Sequence, residues 1–130
     1  MRAVDTSVVV AAFSSWHEQH DAARRALDTG PGIASHSLIE SYSVLTRLPA
    51  PFRAPGDLVG RFLLDRFPDG GLHPGDDVIT TLMAADVVGG AAYDGLIALV
   101  ARSHGATLLS LDRRAAATYG RLGVAFAILA

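Results

Sequence analysis

The chain contains no cysteine. A disulfide framework, a thiolate metal site and a cysteine nucleophile are therefore all excluded. Lysine is absent too, so all 11 basic side chains are arginine. That removes a Schiff-base lysine, a phosphate-loop lysine and a lysine general base; any phosphate must be met by arginine, backbone N–H groups or a metal ion. Long apolar runs are also missing. Stretches free of Asp, Glu and Arg, such as Thr6 to Trp16, fall short of the roughly 18 residues a membrane span needs. Asp5 lies inside what would be the apolar region of a secretory leader, so no leader is expected and a cytoplasmic location is the default.

The 130 residues suffice for one hydrophobic core and are too few for two independent ones, so a single domain over residues 1–130 is expected. Half of the residues are apolar and mean hydropathy is +0.31, which suggests apolar surface for a partner to cover. The net charge of −2 argues against a strongly basic coat for nucleic acid, although an average can hide an acidic cleft ringed by arginine.

The chain alternates short apolar strands with helices. Strands are expected at residues 2–5, 33–35, 106–111 and 124–128, with a weaker one at Leu72-His73. Helical spacing runs through residues 8–13, 17–27, 38–48, 57–67, 93–104 and 113–121, with a further helix opened by Pro74-Gly75-Asp76-Asp77. Short strands separated by helices imply a parallel α/β sheet covered on both faces.

Four acids stand where the chain passes into a helix: Asp5, Glu40, Asp94 and Asp112. Each has a structural reading. Asp5 and Asp112 suit helix caps, and Asp94 suits the positive end of a helix dipole. Glu40 ends Ser37-Leu38-Ile39-Glu40, which matches a capping box in which the glutamate bonds back to the cap residue. Taken together they allow another reading, because in a parallel α/β sheet the strand C-termini and the following helix N-termini share one edge. Two carboxylates about 4 Å apart repel by roughly 4 kcal/mol at an effective dielectric near 20. Several in one cleft therefore call for a hard divalent cation.

Val4-Asp5-Thr6-Ser7, Glu40 within residues 35–40, Tyr93-Asp94-Gly95-Leu96-Ile97-Ala98 and Leu109-Ser110-Leu111-Asp112-Arg113-Arg114 occur in an order and spacing that resembles the PIN-domain ribonucleases, most closely the VapC-type toxins of bacterial toxin–antitoxin pairs. The resemblance spans essentially the whole chain and is weakest over Arg53 to Pro74. It implies a three-layer α/β/α domain with a five-stranded parallel sheet in the order 3-2-1-4-5. It also implies Mg²⁺- or Mn²⁺-dependent endoribonuclease activity, a homodimer and neutralisation by a cognate VapB-like antitoxin. Asp5, Asp94 and Asp112 would organise the metal, and Glu40 would orient or deprotonate the attacking water. Thr6 and Ser110 would support the site, with the Ser110 hydroxyl ordering a metal-bound water, and Arg113 and Arg114 would contact RNA phosphates. A non-toxin PIN nuclease in RNA processing and a catalytically silent metal- or RNA-binding module remain the alternatives.

Other patterns carry less. His17-Glu18-Gln19-His20 places its histidines three apart, whereas the zinc motif H-E-x-x-H needs four. Asp76-Asp77 reads as an N-cap, and Trp16, His17 and Tyr119 read as packing residues before stacking surfaces for RNA bases.

Overall fold

Side-chain alternation along two strands decides the architecture of the computed structural model, which describes residues 1–129. Neighbouring residues of a strand point to opposite faces. In β1 (Arg2–Val4), Ala3 joins a core with Leu82, Ile97, Ala98 and Tyr119, while Val4 joins another with Val8, Val9, Leu45 and Val59. Leu108 and Leu109 of β3 (Thr107–Ser110) divide between the same two cores. One face of the sheet is thus covered by α1 (Thr6–Phe13), α2 (His20–Asp28), α3 (Ser35–Thr46) and α4 (Gly56–Arg66). The other carries α5 (Val78–Ala84), α6 (Ala91–Ser103) and α7 (Ala116–Arg121).

The sheet is parallel throughout. With β2 (Gly32–Ile33) and β4 (Phe126–Ile128), its order is β2-β1-β3-β4, and Val4 pairs with Ile33 on one side and Leu109 on the other. This corrects the expected five strands to four. The place beside β2 is held by a single parallel bridge between Ala34 and Leu72. Its two hydrogen bonds run from Ser35 N–H to the Leu72 carbonyl at 2.8 Å and from Leu72 N–H to the Ile33 carbonyl at 2.7 Å. The cause is local: Gly70 and Gly71 have φ of 80° and 88°, and Pro74 follows with no N–H to extend a ladder.

Several boundaries also move. Residues 113–115 form a turn before α7 begins, because the Asp112 carboxylate accepts the Arg114 N–H at 3.0 Å and its carbonyl accepts the Ala115 N–H at 3.2 Å. The helix opened by Pro74 shrinks to α5, and Asp77 stands at its N-cap without a side-chain capping bond. On α6, a Cβ at Gly95 would lie 2.5 Å from Leu82 Cδ2, so the missing side chain lets α6 settle against α5. Among the described residues, no helix is long and apolar enough to cross a membrane.

Candidate active site

At β1 the strand order changes direction, with β2 on one side and β3 on the other. In open α/β sheets a crevice forms beyond the strand C-termini at such a point. Asp5 is the first residue past β1 and is tied to β3 by its N–H, which donates to the Leu109 carbonyl at 3.1 Å. It caps α1: carboxylate Oδ1 accepts the N–H groups of Ser7 at 3.0 Å and Val8 at 3.4 Å, and also the Ser7 hydroxyl. Oδ2 accepts the Tyr119 hydroxyl at 2.7 Å. Capping therefore occupies one edge of a group that also lines the crevice, so the cap leaves Asp5 available to the cavity.

Asp112 follows β3 by two residues and completes a loop held from below. Its N–H donates to Ser110 Oγ at 3.0 Å, while the Arg114 guanidinium stands 3.6 Å from its carboxylate. Ser110 is fully buried, so its hydroxyl positions the Asp112 backbone instead of meeting the cavity. Thr6 does line the cavity, and its hydroxyl is buried without a hydrogen-bond partner among the described residues.

The helices contribute the remaining acids. Asp94 sits in the first turn of α6. Its carboxyl is pushed above the ordinary value of 3.8, first by burial and then by the negative charges of Asp112, Asp5 and Glu40, against a smaller opposing pull from Arg114. Glu40 lies inside α3, whose N-cap is Ala34 and not Ser37. The Ser37 N–H is spent on the Ala34 carbonyl at 2.9 Å and its hydroxyl is buried and unbonded. The capping box is therefore not formed. Glu40 is instead 3.4 Å from His36 Nε2, and the His36 ring stacks on Tyr93 with centroids 5.3 Å apart, joining α3 to α6 beside the crevice.

Asp5, Thr6, Ser7, Glu40, Asp94, Ile97, Asp112 and Tyr119 line one cavity of about 50 Å³. A larger hollow of about 440 Å³ is lined by Arg2, Arg25, Thr29 and apolar side chains, with no acidic side chain among the described residues, so size does not mark the chemistry here. All four sequence-identified acids converge, while Arg113 and Arg114 stand exposed on the turn after Asp112. The sequence offers Ser7 only within Val4-Asp5-Thr6-Ser7, with no site role, and Tyr119 only as packing, without its polar contact. A tyrosine at an apolar helical position needs a partner for its hydroxyl, but only the fold identifies Asp5. Burial and the Asp5 charge hold the Tyr119 phenol protonated, well above its ordinary range.

The donor set is oxygen alone, which suits a hard cation. Among the described residues, no three acids or histidines stand close enough to make a ready set of direct ligands. The buried Thr6 hydroxyl, without a partner among the described residues, is one more oxygen that a hydrated cation would use.

Comparison with known proteins bears on the fold and the family. Ribonuclease VapC40 of Mycobacterium tuberculosis (strain ATCC 25618 / H37Rv) is 45% identical over 130 residues, covering 95% of this chain and 96% of that protein. Ribonuclease VapC27 of the same strain is 39% identical over 131 residues, covering 94% and 92%. The crystal structure of FitAcB from Neisseria gonorrhoeae aligns with a TM-score of 0.72 at 17% identity over 97% of this chain and 96% of that one. That of PAE2754 from Pyrobaculum aerophilum aligns at 0.61 and 19%, over 96% and 89%. At such identities the two structures speak for the fold. The sequence pattern of the PIN domain matches residues 2–121, and the chain belongs to the PIN domain family.

Proposed function

We propose that this chain is a metal-dependent endoribonuclease that hydrolyses RNA phosphodiester bonds and acts as a toxin neutralised by a VapB-like antitoxin. The observation that carries the reading is the convergence of Asp5, Glu40, Asp94 and Asp112 on one cavity, where burial and then the other three charges push the Asp94 carboxyl up. Among the described residues no cationic side chain lines the cavity; Arg114, outside it at 3.6 Å from Asp112, offsets these charges only in part. The names of the two ribonuclease relatives supply the substrate class.

Asp5, Asp94 and Asp112 would hold Mg²⁺ or Mn²⁺. When bound, such a cation polarises the scissile phosphate and lowers the pKa of a nearby water. Glu40, poised by His36, accepts the proton of the attacking water. The water oxygen bonds to phosphorus as the P–O3′ bond breaks, leaving a 5′-phosphate and a 3′-hydroxyl. Arg113 and Arg114 grip the flanking phosphates, which makes binding weaken with salt. The exposed Trp16, Ile39, Tyr42 and Phe52 supply apolar area for a second copy or the antitoxin.

The test compares cleavage of RNA with Mg²⁺ or Mn²⁺ by the wild type, Asp5→Asn and Asp94→Asn. Both variants should lose at least about 100-fold, more than is typical for residues that only support a ligand. Equal cleavage by all three, or a 2′,3′-cyclic phosphate product, overturns the reading. Light scattering of the purified chain checks the dimer.

A further inference from the structure

We propose that Tyr119 and Ser7 are positioning residues that hold the Asp5 carboxylate in one rotation and lock its position to that of Asp112, so that Asp5 offers a cation a single oxygen lone pair. The proposal rests on the metal-dependent reading above and concerns how this chain builds that site.

Counting protons and lone pairs gives the arrangement a direction. Ser7 Oγ has one proton and two lone pairs. It accepts the Leu111 N–H at 2.9 Å and gives its proton to Asp5 Oδ1, the strongest acceptor in reach. The 3.5 Å contact between Ser7 Oγ and Ser110 Oγ must then be filled by the Ser110 proton, and it is the weakest link. Ser110 Oγ in turn accepts the Asp112 N–H at 3.0 Å. Donors therefore run one way, from Asp112 N–H to Ser110, from Ser110 to Ser7 and from Ser7 to Asp5. The ends of β1 and β3 are coupled through this chain, which passes beneath the cavity.

The same count applies to Asp5. Its Oδ1 takes two N–H groups and the Ser7 hydroxyl, which leaves it no room for a cation. Its Oδ2 takes only Tyr119 and retains one lone pair. Tyr119 reaches this oxygen from the opposite core, where its ring packs edge-on against Phe126 at 5.8 Å. Tyr119→Phe thus deletes the hydroxyl and keeps the packing. Without it the carboxylate loses the bond that fixes its outer oxygen.

Calorimetric titration of the full chain with Mn²⁺ alone tests this. Tyr119→Phe should bind Mn²⁺ roughly 10-fold or more weakly, as removal of a group orienting a ligand does, with its circular dichroism spectrum unchanged. At saturating Mn²⁺ its RNA KM should match that of the wild type. Ser7→Ala should weaken Mn²⁺ likewise, and Ser7→Thr, which keeps the hydroxyl, should restore it. A purely structural hydroxyl would lower the melting temperature of Tyr119→Phe and leave Mn²⁺ affinity alone; unchanged affinity beside a wild type that binds overturns the proposal. A wild type that takes up no more Mn²⁺ than Asp5→Asn fails the metal-dependent reading itself, and the positioning role with it.

Discussion

The two sides of the cleft hold their acids in opposite ways. On the sheet side, Asp5 is 3% exposed and bound by Ser7, Val8 and Tyr119, and Asp112 is fixed through its backbone. On the helix side, the Glu40 side chain is 34% exposed, and its polar partner among the described residues is His36 at 3.4 Å. A short side chain at a strand end inherits the rigidity of the sheet, whereas a longer one on a helix flank keeps rotamer freedom. The sheet side is suited to defining where a cation sits. On the helix side, Glu40 alone has the freedom that following a proton would need.

That contrast breaks most visibly at Asp5. Asp5→Ala removes a helix cap and strands the Tyr119 hydroxyl, a combined cost of about 2–4 kcal/mol in urea unfolding. Glu40→Ala should change stability by no more than about 0.5 kcal/mol, as exposed substitutions do, while abolishing cleavage. A similar stability loss at both positions would remove the distinction. Gly95→Ala should cost about 1–3 kcal/mol in the same assay, because a methyl group there drives α6 from α5; it tests whether the helix side depends on close packing to bring Asp94 in.

Asp94 sharpens the contrast with a smaller effect of opposite sign. Its native pKa lies above the ordinary 3.8, so between those values the native state holds more protons than the unfolded chain. Stability falls as pH rises through that window, and at neutral pH the ionised group is a cost to the cation-free fold. Asp94→Asn should therefore melt higher than the wild type at pH 7 without divalent cations, and the gap should close as pH falls toward 3.8. Added Mn²⁺ should raise the wild-type melting temperature and not that of the variant. A variant that melts lower at neutral pH would show that repulsion does not govern this side.

Legibility from sequence followed the same division. The strand ends are readable: the runs expected at residues 2–5 and 106–111 locate β1 and β3 to within a residue at their ends, and with them Asp5 and Asp112. Glu40 was less secure, because Ser37 to Glu40 satisfies the capping-box pattern while the real cap lies three residues earlier at Ala34. Helix starts depend on where the preceding strand releases the chain, and local pattern does not carry that. Leu72-His73 reads in the sequence as a weak strand, and the structure holds it to one bridge at Leu72, since paired glycines and a proline leave it no ladder.

By itself the sequence determined the chemistry available. Without cysteine or lysine, and with acids after its strands, it left oxygen ligands, imidazole, arginine and water as the working groups. Its apolar periodicity also determined a parallel α/β order. Only the tertiary structure decided that Glu40 and Asp94 face the same cavity as Asp5 and Asp112, and that Tyr119 reaches Asp5 across 114 positions of chain. The reason is that periodicity specifies which face of an element is buried, whereas the partner of a buried polar group is set by how two elements pack, and that information is spread over both cores.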